Sequence, residues 1–481
     1  MQPLGFVSMG RPNVLLIVLD SVRGLNVGHL GYPRSTTPNL DDFAERATTY
    51  TNARSPGIHS ISSHVSIFTG YHVAEHRATA HSASISSGHT IWEVLADEGY
   101  QTGLFTPNSI VAESSNLSSF FQEVVGPKRQ ELLFPEALGP EGVNGDPSYV
   151  EYLLESLQSD FPLKATLNGL SREFGRSKGA HDPEREHGGK YVDEFDSWRE
   201  TRDEPWAACI NLMDAHYPYI PQEQFAEWGG GGKIEDLHRE AMGGPLTTQY
   251  LGDRPFWELE ATESLYDDCI KQVDAYFGQL LDRLESASEL DDTLVVVTSD
   301  HGEGFGEYSA LNDAVRLIDH SWGIGDEVSH VPLVVKHPND DSAETVKTPA
   351  SLTQFPTVVE DAIAGEKTGF VPQEGHTLTT SYRIEKPGDE LPISKGDREP
   401  YFGPWHAVCR EIGGEVFVDA VRNDDRTRYR PGRDSERNDV TSVDRNFVDK
   451  TIQELSDAGI MEGEKEIDQD VEKRLHELGY K

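Results

Sequence analysis

Asn13-Val-Leu-Leu-Ile-Val-Leu-Asp20 is an uninterrupted apolar run closed by a carboxylate. A strand with one wet face alternates apolar and polar residues, so a run without alternation predicts a strand covered on both sides, as in a parallel sheet flanked by helices. Ligands of such sheets sit beyond the carboxyl ends of the strands, which places Asp20 where chemistry occurs. Thr293-Leu-Val-Val-Val-Thr-Ser-Asp300 repeats the pattern and runs on into His301-Gly302-Glu303-Gly304. Two buried strands thus deliver acids to one edge. Between them Leu265, Cys269, Val273, Phe277, Leu280 and Leu284 recur every three or four residues, which predicts an amphipathic helix leading into the second strand. Helix followed by strand is the alternation of an α/β fold, so we expect a mostly parallel central sheet with helices on both faces.

Outward from these strands, residues 39–47 and 91–96 read as short helices, and 352–364 (LTQFPTVVEDAIA) as the last helix of a main domain covering 1–365. Residues 126–202 are rich in Gly, Ser, Glu, Arg and Asp with weak periodicity. They read as an insertion, either bordering a substrate entrance or forming plain surface. From 366 to 481 we expect a small C-terminal α+β subdomain: Glu415-Val-Phe-Val-Asp-Ala-Val421 alternates as an antiparallel strand does, and a charged helix is expected from about Val448.

Composition narrows the function classes. The chain has 42 basic and 83 acidic residues, a formal charge of −41, spread along its length, and no lysine precedes Lys128. Such a surface disfavours nucleic acid and anionic membranes as partners, and it suits a salty, halophilic cytosol, where screening quiets self-repulsion. Three well-separated cysteines, Cys209, Cys269 and Cys409, form neither a disulfide framework nor a thiolate cluster. No run of about 18 apolar residues and no secretory signal pattern is present, so the expectation is a soluble cytoplasmic protein without membrane insertion.

The segment Ser60-Ile-Ser-Ser-His64-Val-Ser-Ile-Phe-Thr69-Gly70 resembles the nucleophile helix of the sulfatase family in the alkaline phosphatase superfamily. That family carries Cys/Ser-x-Pro-Ser-Arg followed by a Ser-Leu-Leu-Thr-Gly-like stretch. The resemblance continues in order through 13–20 with Arg23, Thr37-Pro-Asn-Leu-Asp41, 266–284, Ser299-Asp-His-Gly-Glu303, Val331-Pro-Leu-Val-Val335 and Phe355-Pro-Thr357. It implies an alkaline phosphatase-like fold and a hydrolase of sulfate or phosphate esters, small-molecule or glycan. Ser60 takes the nucleophile position. Asp20, Asp300 and His301 supply carboxylate and imidazole ligands for one divalent metal ion, Ca2+, Mg2+ or Mn2+, with Zn2+ as a further option. His64 stands in the place of the family Arg, against the nucleophile or the bound anion. His216, in Met213-Asp-Ala-His216-Tyr-Pro-Tyr219, resembles the imidazole that faces the ester, with Asp214 as its helper or a second metal ligand. His320 stands where relatives hold a general acid for the leaving oxygen. His59 and His330 read as structural, and Arg23 as support or an anion contact.

Three departures from the family pattern matter. Ser62 replaces the Pro and His64 the Arg of the segment whose Cys or Ser becomes formylglycine, so Ser60 is expected to stay an unmodified serine. Ser21 replaces the second Asp of the usual pair, and Asn108 stands where classical sulfatases carry an active-site lysine. A plain serine suits phosphoryl chemistry better than sulfuryl chemistry, since it lacks the second hydroxyl through which a formylglycine hydrate expels sulfate. The alternatives are a phosphodiesterase or phosphotransferase with one or two metals, and a binding protein of the same fold that has lost catalysis.

Overall fold

In the computed structural model the run from residue 13 forms the strand Asn13–Leu19, and the second run forms Thr293–Thr298. Every side chain from Val14 to Leu19 and from Thr293 to Thr298 is buried, as strands covered on both faces require. The structure describes residues 11–127, 137, 156–157, 159, 161–166, 186–202, 205–242, 244–382, 391–394, 397–432, 444–467, 471–472 and 475.

The two strands lie side by side and parallel at the centre of an eight-stranded sheet, with Leu16 opposite Val296. On the other side of Asn13–Leu19 lie Trp206–Leu212, Gln101–Phe105 and Glu123–Val125, all parallel. Beyond Thr293–Thr298 come Leu333–Lys336, which runs antiparallel, then Thr48–Tyr50 and Glu344–Val346. The sheet is therefore mostly parallel, as its apolar runs imply.

One face is covered by the 31-residue helix Phe256–Ser286, whose Leu265, Cys269, Val273, Phe277, Leu280 and Leu284 are buried as their spacing predicts. The helix Gly188–Arg199 joins it, burying Tyr191, Val192, Phe195 and Trp198; the Phe195 ring packs against Phe105 and Trp206. Most of the stretch read as an insertion, 126–202, lies outside the described residues, but this last part belongs to the sheet's cover. Apolar spacing at 191, 192, 195 and 198 carries the helix, and the intervening Asp193, Glu194 and Asp196 mask it in a composition scan. The opposite face is covered by Ser60–Thr69, Ile91–Asp97 and Phe355–Ile363, which share one apolar cluster with Val14, Leu16 and Val18.

A second, antiparallel sheet of four strands follows: His376–Ser381, Trp405–Ile412, Glu415–Arg422 and Asp425–Tyr429. The helix Arg445–Gln453 buries Val448 against it, in a cluster with Leu378, Val408 and Val421. The chain then returns to the main body, where Met461–Glu464 pairs with Ala83–Ile85. Cys209, Cys269 and Cys409 are buried free thiols. No helix of the described residues is long and apolar enough to cross a membrane.

Candidate active site

Parallel central strands end together, so the residues that follow them meet. Asp20 follows Asn13–Leu19 and prolongs its pairing by one bond, its N–H donating to the Leu212 carbonyl at 3.0 Å. The chain then breaks from the strand through Ser21, which adopts a left-handed φ of 64°, so that its N–H reaches Asp300 Oδ1 at 3.3 Å. Asp300 and His301 follow Thr293–Thr298 on the adjacent strand. One donor atom from each of Asp20, Asp300 and His301 lies within 4.8 Å of the others, and all three side chains are fully buried.

The hydrogen bonds around these donors set their roles. Asp20 Oδ2 accepts from Asn108 Nδ2 at 2.8 Å and from Asn211 Nδ2 at 3.1 Å, while Oδ1 accepts the Ser21 hydroxyl at 3.1 Å. Burial opposes ionisation of Asp20. His216 and His301 opposite, with the Asn108 bond, outweigh it and hold the carboxyl below its ordinary range. Asp300 Oδ2 has no hydrogen-bond partner at all. His301 Nδ1 lies 2.9 Å from the Gly302 carbonyl, which leaves Nε2 facing Asp300 Oδ2 at 3.4 Å and Ser60 Oγ at 3.4 Å. Burial lowers the His301 pKa against the pull of Asp300, favouring the neutral, ligating imidazole. An orphaned buried carboxylate oxygen, a second carboxylate and a neutral imidazole fit a divalent cation, because two buried anions without one are costly.

Ser60 opens the helix Ser60–Thr69, at the end whose free N–H groups favour negative charge. Its Oγ accepts from Asn108 Nδ2 at 3.2 Å. That amide is fixed, since Asn108 Oδ1 accepts the N–H groups of Ile110 at 2.9 Å and Val111 at 3.3 Å. Asn108 thus spends both its protons on Asp20 and Ser60. The residue at the position of the missing lysine is a participant in this site.

His64 lies behind the nucleophile, with Nδ1 3.6 Å from Asp300 Oδ2. One turn into the helix, its Nδ1 lies 2.8 Å from the Ser60 carbonyl and its Nε2 3.2 Å from Asn211 Nδ2, with the ring fully buried. It faces the nucleophile's backbone and not its hydroxyl, because a residue four positions on in a helix lies over the preceding turn. His216 and His320 do reach the site: their rings are 5.3 Å apart, and His320 packs against His301 at 4.2 Å. His216 Nδ1 is 2.6 Å from the Tyr217 carbonyl, and burial lowers its pKa. His320 Nδ1 is 2.5 Å from Asp319 Oδ1. Burial disfavours its charge, but Asp319 and Glu303 win and raise its pKa well above the ordinary value.

Asp214 turns away from His216. It accepts the Gly188 N–H at 3.0 Å and Gln272 Nε2 at 2.5 Å, and so holds the start of the Gly188–Arg199 helix. Arg23 is occupied by Glu263 at 2.6 Å, Glu307 at 2.5 Å and the Glu303 carbonyl at 3.0 Å, which makes it a brace for the loop after His301. His330 Nε2 is 3.0 Å from the Thr51 carbonyl, a structural place. His59 precedes the nucleophile helix without a side-chain cap bond, and its ring lies 6.0 Å from that of His320. Asn211, Glu303 and Asp319 complete the constellation. A lone amide in the apolar strand Trp206–Leu212 was the available signal for the first of them.

A family model described as Sulfatase matches residues 12–362. An ulvan-active sulfatase of Formosa agariphila is 24% identical over 71% of this chain and 59% of that relative, so the match spans less than two thirds of its length. A multifunctional alkaline phosphatase superfamily protein of Trinickia caryophylli is 23% identical over 68% of each chain. The solved structure of the phosphonate monoester hydrolase of Agrobacterium radiobacter has a TM-score of 0.58 at 18% identity, covering 92% of this chain and 94% of that one. The fold is alkaline phosphatase-like, and the chain belongs to the sulfatase family.

Proposed function

We propose that this chain hydrolyses a sulfate or phosphate ester, with phosphate preferred, through an unmodified Ser60 beside a divalent cation held by Asp20, Asp300 and His301. The carrying observation is the position of Ser60 Oγ, 3.2 Å from the Asn108 amide and 3.4 Å from His301 Nε2, against the unpartnered Asp300 Oδ2. When bound, the cation draws charge from the serine oxygen and from the oxygens of the transferred group.

The remaining work falls to side chains. Asn108 donates to Ser60 Oγ and stabilises it as its proton leaves to solvent, while His64 and Asn211 hold the nucleophile's turn in register with Asp20. Ser60 Oγ forms a bond to phosphorus as the ester P–O bond breaks, and the leaving oxygen takes a proton from His320. Asp319 favours the charged imidazole that this step needs. His216, neutral at this depth, faces the transferred group. Water then displaces Ser60 Oγ from the phosphoserine, its hydroxide staying on phosphorus and its proton going to the now neutral His320, while Ser60 Oγ takes back from solvent the proton it released. The names of relatives, an ulvan-active sulfatase, an N-acetylglucosamine-6-sulfatase and a choline-sulfatase, support esters of glycans or small molecules as the substrate class.

The test compares matched 4-nitrophenyl phosphate, phosphate diester and sulfate with protein reconstituted in Mn2+. Ser60→Ala should keep its metal and fold and lose about 10⁴-fold or more in turnover of the best substrate. Turnover that survives the substitution, or its absence from the wild type with all three esters, overturns the reading. An intact-mass spectrum should show Ser60 unaltered, and a loss of about 2 Da there would reveal formylglycine.

A further inference from the structure

A second group of ligand atoms lies beside the first. Glu303 stands two residues after His301, and the strand Gly304–Tyr308 that it opens pairs antiparallel with Arg316–Asp319, Gly304 opposite Asp319. This hairpin folds Asp319 and His320 back onto Glu303. One donor atom from each of Glu303, Asp319 and His320 lies within 4.8 Å of the others. His320 Nδ1 is 2.5 Å from Asp319 Oδ1 and 3.5 Å from Glu303 Oε2. Asp319 sits in the left-handed region, at φ 57°.

Glu303 supplies the independent observation. Its side chain is fully buried, and neither carboxylate oxygen has a hydrogen-bond partner. A carboxylate removed from water without donors is costly, and this one faces a second carboxylate. The one positive charge within the group is the His320 imidazolium, set between two carboxylates, and a divalent ion can replace its proton. Two carboxylates and an imidazole nitrogen neutralise a divalent ion, and the mixed oxygen and nitrogen set favours Mn2+ or Zn2+ over Ca2+ or Mg2+, which prefer all-oxygen sites.

We propose that Glu303, Asp319 and His320 Nδ1 form a second divalent cation site, taking Mn2+ or Zn2+, alongside the one assigned to Asp20, Asp300 and His301. The count of two rests on that first assignment; the second ligand set does not. Coordination at Nδ1 leaves the His320 proton on Nε2, the nitrogen of the ring turned away from Asp319. The second ion then takes the place of the proton that Asp319 and Glu303 otherwise hold on the ring, and keeps Nε2–H turned away from them.

The experiment strips the full chain with chelator and titrates it with Mn2+ and, separately, Zn2+. Bound ion is counted by mass spectrometry after gel filtration, and Mn2+ is also followed by electron paramagnetic resonance. Wild type should hold about two ions, and Glu303→Gln, Asp319→Asn and Asp300→Asn about one each, with folding checked by circular dichroism. A wild-type count of one, or two ions retained in folded Glu303→Gln, overturns the proposal. Should both second-site variants fail to fold, Asp300→Asn alone decides: one remaining ion supports the site and none overturns it. Two ions on a chain inactive toward every ester would sink the proposed reaction and leave the site standing. Ester turnover with a single ion would do the reverse.

Discussion

Gly302 shows how closely the residues behind the ligands constrain them. A Cβ at this position would collide with the Glu327 carbonyl oxygen and come within 2.9 Å of the Arg23 Cβ, while the Gly302 carbonyl faces His301 Nδ1. Backbone cannot yield as a side chain can, so Gly302→Ala should displace the imidazole. We expect cation affinity to fall about 10–100-fold, read by Mn2+ titration of the stripped protein. An unchanged affinity would show that the loop absorbs the methyl. Asp20 and Asp300 were legible at this scale because a strand that cannot afford polarity ends abruptly on one. His64 could be placed beside the nucleophile from its position but not given its contact, and Asn108 read only as the place of an absent cation. Only the fixed amide of one and the turn-to-turn contact of the other show what replaced it.

Elements hold one another through single side chains. The helix Pro38–Ala44 has no cap from Thr37; instead Asp274, from the middle of Phe256–Ser286, accepts the N–H groups of Asn39 at 3.0 Å and Leu40 at 2.9 Å and the Asn39 amide at 2.7 Å. Asp274→Ala leaves these buried donors unmatched and should cost about 2–3 kcal/mol, seen as a lowered urea midpoint with unchanged slope. A loss below about 0.5 kcal/mol would mean that water replaces the carboxylate. The long helix and the two acid-tipped strands could be read from periodicity alone. Gly188–Arg199 could not be read from composition, because Asp193, Glu194 and Asp196 are interleaved with its apolar stripe, and a helix is legible only when its face is examined by position.

The whole molecule carries several histidines buried in the neutral form. Burial lowers His72, His330, His337 and His406 to about 4 and His76 to about 3, against 6.5 for an exposed imidazole. The unfolded chain therefore binds more protons between pH 6.5 and 4. Stability from these groups is fully present above 6.5 and lost as pH falls through that window. Asp274, pushed up to about 7 by burial, works in the opposite direction, as do Glu303, Asp267 and His320, while the lowered His59, His216 and His301 act with the five. We expect Tm to be flat above pH 7 and to fall steeply from 6.5 toward 4. A Tm that held level to pH 4.5 would contradict the burial of these rings.

The second sheet is tied to the segment that precedes the nucleophile. The Thr380 N–H donates to the Pro56 carbonyl at 2.9 Å and the Thr379 hydroxyl to the Ser55 carbonyl at 2.7 Å. Next to them Arg54 pairs with Asp326 at 2.6 Å, and Asp326 in turn accepts the Gly432 N–H at 2.6 Å. Ser60 stands only a few residues further along. Damage to the small sheet, by heat or by a protease, would loosen the nucleophile's own tether while the central strands still held. The protein would go silent before it came apart.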